Sequence, residues 1–283
     1  MILMDGKKLQ EEMINELSEE VKSLNGKPKL VIIQVGNNEA SNKYINQKIR
    51  VGSNIGIEVE HIKYEETVTE DEILNKIDSL NNDKEVSGII VQLPLPKHLD
   101  SYTIVNRVAA SKDVDGLTSV NLGNLFGKKN CFVPCTALGV VEMLHRYNIN
   151  IEGKHAVIVG RSQLVGKPLI ACLLNENATV TVTHSKTVDL KEYTSKADIL
   201  IVAIGQANFI KEDMVKDNAV VVDVGINVID NKLTGDVDFN SLTDKVYAMT
   251  PVPNGVGRMT VISLMKNVIK AYNEQNIDWF YLK

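Results

Sequence analysis

The chain has 283 residues, 44% of them apolar and 24% charged, a composition that argues against intrinsic disorder and a length that suits one large domain or, as expected here, two medium ones, each able to bury its own core. The formal net charge is −5 with both signs interspersed, which argues against a dedicated nucleic-acid or anionic-membrane surface. No apolar run approaches a membrane span, and the opening MILMDGKKLQEEM has neither a sustained apolar core nor a small-residue cleavage pattern, so a cytoplasmic protein is expected.

Hydrophobic periodicity predicts a helix over 6–24, a strand over 30–35, a helix over 41–54 and a strand over 57–64. A helix over 69–80, a strand over 86–93 and a helical stretch near 102–110 follow. Such alternation predicts a parallel sheet with helices on both faces. Residues 111–134 are Gly-rich and irregular, the expected link between domains, and Pro134 and Thr136 lead into a crossing helix over 137–147. A second alternating set has strands at 156–159, 179–183, 199–204, 220–224 and 246–249. The last helix, 260–274, is expected to return to the first domain. The fold class is thus α/β, with a first domain over 1–120 joined by the C-terminal segment 260–283, and a second over 121–259. Heptads, low-complexity tracts and internal repeats are absent.

Residues 156–168, AVIVGRSQLVGKP, read as a strand, a tight turn and a helix start. Such a junction presents backbone N–H groups and the positive end of a helix dipole to a pyrophosphate. The glycines depart from G-x-G-x-x-G, with Ser162 third and Val165 sixth, so the fingerprint alone is weak, and a ligand-free glycine turn is the bland alternative. A P-loop is rejected, because the glycines are one residue too far apart and Pro168 replaces the magnesium-binding hydroxyl. The next strand ends in His184 and Ser185 rather than the Asp or Glu of NAD-preferring sites, and the turn carries Arg161. Both features favour a 2′-phosphate, hence NADP.

Cys131, Cys135 and Cys172 are an odd count for a disulfide framework and are expected to be thiols. No histidine falls in a metal-type spacing, so no metal site is expected. Cys135 precedes a helix start, where thiolate is favoured, but no base accompanies it, and a buried thiol is the expected role.

In the first domain, Tyr44 and Lys48 share one face of a predicted helix. Gln92 lies at the carboxyl end of a strand that Pro94 and Pro96 stop from continuing, and in open α/β sheets ligands sit at such ends. Asp113 and Asp115 precede Gly116 in KDVDG. Each has an ordinary alternative: a solvated helix face, a lone amide, an Asp-Gly turn.

The combination is more specific. YINQK, GIIVQLPLP, KDVDG, PCTALG, VIVGRSQLVGKP, VDVGIN, GDVDF and TPVPNGVGRMT, in this order over nearly the whole chain, closely resemble the bifunctional methylenetetrahydrofolate dehydrogenase/methenyltetrahydrofolate cyclohydrolases. The resemblance implies two three-layer α/β/α domains, an N-terminal catalytic one and a C-terminal Rossmann-type NADP-binding one, with the folate cleft between them, in a homodimer. It implies that Tyr44 packs on the folate ring system, that Lys48 is the principal group of the cyclohydrolase step, that Gln92 holds and tunes it, and that Asp115 bonds the pterin. It also implies substrate contacts from Val91, Leu93 and the loop Pro253, Asn254, Gly255, Val256 and Gly257, and cofactor contacts from Gly160, Arg161, Ser162, Ser185 and Ile226.

Two departures lie in the substrate loop: Asn254 stands where the family usually has Gly, and Arg258 where it often has Pro. Asn tolerates φ > 0 better than most residues, so the turn is expected to survive. Arg258 is either a cation near the cleft or a solvated helix-start arginine. The activity implied is NADP-dependent oxidation of 5,10-methylene-tetrahydrofolate to the methenyl cation, then hydrolysis to 10-formyl-tetrahydrofolate. Rival readings are a dehydrogenase that has lost the cyclohydrolase, an NADP-dependent oxidoreductase for another small substrate, and a silent NADP- or folate-binding regulator. Retention of Tyr44, Lys48 and Gln92 argues against them.

Overall fold

The computed structural model describes residues 1–276. In chain order its elements are β1 (Ile2–Leu3), α1 (Gly6–Lys22), β2 (Lys29–Val35), α2 (Glu39–Ile55), β3 (Glu58–Tyr64), α3 (Glu70–Asn82), β4 (Gly88–Val91), α4 (Ser101–Arg107), α5 (Ser119–Phe126) and α6 (Cys135–Arg146). Then come β5 (His155–Val159), α7 (Gly166–Asn175), β6 (Thr179–Thr183), α8 (Leu190–Thr194), β7 (Ile199–Val202), β8 (Val220–Asp223), β9 (Asn227–Ile229), β10 (Lys232–Thr234), α9 (Phe239–Leu242), β11 (Ala248–Met249) and α10 (Val256–Gln275). They form two compact units: Glu12–Cys135 with the chain from Val261 onward, and Met1–Glu11 with Thr136–Thr260.

In the first unit β2 lies between β3 and β4, all parallel. Its sequence, KLVIIQV, is apolar on both faces and buried from Leu30 to Val35, as a central parallel strand requires. Val31, Ile33 and Val35 pack with Ile73 and Ile77 of α3 and Ile104 of α4. The start of α3 is fixed by a capping box between Thr69 and Glu72. β4 ends at Val91, short of the expected 93, since Pro94 has no N–H for a further ladder bond.

The second unit holds a six-stranded parallel sheet, ordered β1-β11-β8-β7-β5-β6. β5, β7 and β8 are almost wholly buried, so helices or loops cover both faces. Val157, Val159, Leu200, Val202 and Val221 form one core with Leu242 and Val246, while Leu169, Ala171 and Leu173 of α7 are buried elsewhere.

Several expectations need correction. Residues 1–11 belong to the second unit, because β1 adds beside β11 through Ile2↔Ala248 and Leu3↔Met249. Two residues carry no periodicity from which to read a strand. Residues 121–135 belong to the first unit, and the supposed irregular link contains α5, capped where Thr118 accepts from the Asn121 N–H. Its eight residues are too few for a clear helical period, and Gly123 and two asparagines read as loop. β9 and β10 form an antiparallel hairpin turned by Asp230 and Asn231, both at positive φ, a turn chemistry that the sequence reading passed over. α10 starts at Val256 rather than 260. The expected C-terminal extension beyond 276 lies outside the described residues. Among those residues, no helix is long and apolar enough to cross a membrane.

Candidate active site

The catalytic candidates of the first unit are assembled by α2 and the end of β4. Asn38 caps α2 by accepting from the Ser41 N–H at 3.0 Å, and the helix then carries Tyr44 and Lys48 one turn apart on one face. Lys48 is only 9% exposed, so it is not the solvated lysine that this spacing more often gives. Its Nζ donates to Gln92 Oε1 at 2.9 Å. The Gln92 Nε2 donates to the Leu93 carbonyl at 2.8 Å, which fixes the amide with its oxygen toward the lysine. Burial raises the Tyr44 pKa, favouring the neutral phenol.

Asp115 reaches the same strand end through the backbone. Asp113 makes a parallel bridge with Ile89, and the Ile89 N–H donates to the Lys112 carbonyl at 2.8 Å, so Asp115 continues in the direction of Val91 and Gln92. The two aspartates differ in what they touch. Asp113 is 3% exposed and accepts from the Thr118 N–H at 2.8 Å and from Asn121 Nδ2 at 2.9 Å, which ties down the loop. Burial still raises its pKa. Gly116, at φ +72, has no room for a side chain, because a Cβ would stand 2.6 Å from the Phe132 carbonyl oxygen. Asn267 of α10 donates to the carbonyls of Val114 at 2.9 Å and Val133 at 3.0 Å. Asp115 itself is half-buried.

Cys135 is buried, with Sγ 3.4 Å from the Val114 carbonyl it donates to. Burial first, then the charge of Asp115, hold its thiol well above the usual range, against the opposite pull of Lys48. Buried and donating to a backbone carbonyl, it has the surroundings of a core thiol. No disulfide joins the three cysteines.

The expected substrate loop, Pro253 to Gly257, belongs to the second unit and runs into the first turn of α10. Asn254 has φ +77, the conformation that a glycine at this place would serve. Arg258 donates to Asn254 Oδ1 from Nη2 at 3.1 Å and from Nε at 3.3 Å. The two departures from the family pattern are therefore partners, and Arg258 is not simply a solvated helix-start residue. Gln10 Nε2 holds the Arg258 carbonyl at 2.9 Å.

The cofactor candidates surround the carboxyl ends of β5 and β6. β5 has β6 on one side and β7 on the other, which makes the end of β5 the switch point where dinucleotides bind in open α/β sheets. Gly160 has φ +122, and a Cβ there would stand 2.3 Å from the Ala203 carbonyl oxygen. At Gly166 a Cβ would stand 2.4 Å from the Gly160 carbonyl oxygen, so this glycine lets α7 close on the turn. Ser162 Oγ accepts from the N–H groups of Val165 at 3.2 Å and Gly166 at 3.3 Å, leaving its own proton to donate outward. Arg161 and Ser185 are exposed, as is Lys186 next to Ser185 in sequence. A helix N-terminus, a donor hydroxyl and exposed cations, with no carboxylate ending β6, fit a dinucleotide bearing an extra phosphate. Ile226 is 46% exposed just before β9.

The sequence reading passes over Lys186 and two buried carboxylates, Asp223 and Asp236. The available signal is an acid inside an apolar run, in VVVDVG and GDVDF.

Residues 4–115 match the family model "Tetrahydrofolate dehydrogenase/cyclohydrolase, catalytic domain", and residues 134–276 match its "NAD(P)-binding domain". The chain is 46% identical over 284 residues to the bifunctional protein FolD of Sulfurihydrogenibium sp., covering 98% of this chain and 100% of that one. With the FolD of Oceanobacillus iheyensis the identity is 49% over 273 residues, covering 95% and 96%. Among solved structures, the bifunctional FolD methylenetetrahydrofolate dehydrogenase/cyclohydrolase of Campylobacter jejuni superposes with a TM-score of 0.95 at 44% identity, covering 97% of this chain and 99% of that one. The Trypanosoma brucei enzyme, complexed with NADP cofactor and inhibitor, gives a TM-score of 0.93 at 32% identity over 98% and 99% of the two chains. With both domain models matched in order and near-complete coverage of its relatives, the chain belongs to the tetrahydrofolate dehydrogenase/cyclohydrolase family.

Proposed function

We propose that this protein oxidises 5,10-methylene-tetrahydrofolate with NADP⁺ and hydrolyses the methenyl product to 10-formyl-tetrahydrofolate, a formyl donor for purine biosynthesis, as a cytoplasmic homodimer. The observation that carries the reading is the buried Lys48 amine bonded to Gln92 at 2.9 Å, in a chain whose other unit has the dinucleotide turn.

NADP⁺, when bound, supplies the hydride acceptor, and the protein's part in that step is to align donor carbon and acceptor ring. Gly160, Ser162 and the α7 N-terminus hold the pyrophosphate, Arg161 and Ser185 the 2′-phosphate, and Ile226 makes an apolar contact. Tyr44 stacks on the folate ring system, Asp115 bonds the pterin edge, and Val91, Leu93 and the loop Pro253–Gly257 complete the substrate contacts. In the second step water attacks the methenyl carbon and the ring opens. Lys48 Nζ moves the protons, while Gln92 Oε1 keeps the amine from swinging away. The hairpin of β9 and β10 exposes Val228, Ile229 and Leu233, apolar surface that a second copy would cover.

An absorbance assay with methylene-tetrahydrofolate and NADP⁺ tests the reading. Methenyl-tetrahydrofolate should appear and then decay; appearance without enzyme-dependent decay would leave a dehydrogenase alone.

A further inference from the structure

Asp223 and Asp236 are 4% and 0% exposed, and neither has a part in the chemistry above. A buried carboxylate is costly unless hydrogen bonds replace its water, and burial pushes the Asp223 pKa up to about 6. Their partners show what the cost supports. Asp236 Oδ2 accepts from the backbone N–H groups of Ile204 at 2.7 Å and Gly205 at 2.9 Å. Its Oδ1 accepts from the Gln206 N–H at 2.8 Å and Asn227 Nδ2 at 2.9 Å. Asp223 Oδ1 accepts from the N–H groups of Gly225 at 2.9 Å and Asp236 at 3.0 Å, and its Oδ2 from Val237 at 2.9 Å.

The pair therefore stitches three segments together: the loop leaving β7, the segment Gly225–Asn227 leaving β8, and the chain after β10. Two of these leave the carboxyl ends of adjacent strands, and β7 borders the switch point beside β5. Ile226 is anchored on both sides, by Gly225 to Asp223 and by Asn227 to Asp236, yet is itself 46% exposed. Two glycines let the carboxylates approach: a Cβ on Gly225 would stand 2.1 Å from Asp236 Cγ, and one on Gly235 would stand 1.9 Å from Asp223 Oδ2.

We propose that Asp236, braced by Asp223, is a positioning residue for NADP: it presets the Ile204–Gln206 loop and Ile226 as a wall of the cofactor crevice. The inference rests on the assignment of the β5 turn and Ile226 to the cofactor site. A carboxylate accepts on both sides, whereas an amide accepts through one oxygen only. Asp236→Asn must therefore release either the Ile204 and Gly205 pair or the Gln206 and Asn227 pair.

The test is NADP⁺ binding to the full-length variant by titration calorimetry, beside hydrolysis of methenyl-tetrahydrofolate measured without cofactor. Asp236→Asn should raise the NADP⁺ Kd about tenfold or more while cofactor-free hydrolysis stays within about twofold of wild type. Asn227→Ala removes one side-chain donor to Asp236 and spares its backbone bonds; it should raise the Kd about threefold, and it decides the question if Asp236→Asn does not fold. An unchanged Kd in the folded Asp236→Asn protein, or in Asn227→Ala where that protein does not fold, overturns the proposal, as does parallel loss of binding and hydrolysis. Arg161→Ala run alongside separates the two assignments. If it too leaves NADP⁺ affinity unchanged, the cofactor site is misplaced; if it alone weakens binding, only the positioning role fails.

Discussion

The surroundings of Lys48 and of Arg161 are built on opposite plans. Lys48 is buried, and a chain of side-chain bonds through Gln92 to the Leu93 carbonyl fixes where its amine points. Arg161 is exposed on a turn whose shape comes from glycines, backbone N–H groups and the start of α7. Moving protons between an attacking water and a leaving nitrogen needs an amine held at one place, and burial with a fixed partner supplies that. Recognition of a phosphate needs a charge that can reach a ligand while the backbone carries the positioning. Loss of the amine should therefore cost chemistry at the first site, and loss of the guanidinium should change selectivity at the second.

The largest effect expected is that of Lys48→Met, which keeps much of the stem and removes the amine. Hydrolysis of added methenyl-tetrahydrofolate should fall by roughly a hundred- to ten-thousandfold, with a smaller fall in dehydrogenase activity and accumulation of the methenyl product. Wild-type hydrolysis in that variant would sink the assignment of Lys48, and equal loss of both activities would show a positioning role instead.

Arg161→Ala comes next. A charge-assisted bond to a phosphate contributes about 1.5 to 3 kcal/mol, so NADP⁺ binding should weaken by roughly ten- to a hundredfold with NAD⁺ almost unaffected. Equal losses for both dinucleotides, measured by titration, would mean that Arg161 shapes the turn rather than reads the phosphate. Asp115→Ala probes the first site again. It should raise the folate KM about tenfold, through an unpaired pterin edge, and leave NADP⁺ titration unchanged. Unaltered folate kinetics would remove Asp115 from the site.

The smallest effect sharpens the comparison on the substrate loop. Asn254 sits at φ +77 and accepts from Arg258, so Asn254→Ala should cost about 1 kcal/mol in denaturant unfolding, and Asn254→Gly less. If the two substitutions cost the same, loss of the Arg258 bond rather than the backbone conformation sets the effect.

Much of this was legible in the chain. Runs such as LVIIQV and AVIV are apolar on both faces and read as buried parallel strands, and the ordered motifs from YINQK to TPVPNGVGRMT carried the family. What the reading lost had weak local signals. β1 is two residues long and exists only because β11 offers it an edge. α5 is short and contains Gly123 and two asparagines, and its helical state rests on Thr118 as cap and on Asn121 bonding Asp113 and the Phe132 N–H. Sequence distance hid the rest: the partners of Asp236 lie up to 32 positions away, and Asn267 bonds Val114 at a separation of 153.

The sequence by itself determined the alternation of strand and helix, the glycine turn after β5, the lack of an acid at the end of β6 and the pairing of Tyr44 with Lys48 on one helical face. Each depends on neighbours within a turn or two of chain, where periodicity and steric limits act directly. Only the tertiary structure decided that Lys48 is buried against Gln92, that Asp113 braces the loop which carries Asp115, that Asn254 and Arg258 are partners, and that two distant aspartates tie the loops leaving β7 and β8. These are consequences of which polar groups folding buries, and a buried polar group takes whatever partner the packed chain brings within about 3 Å.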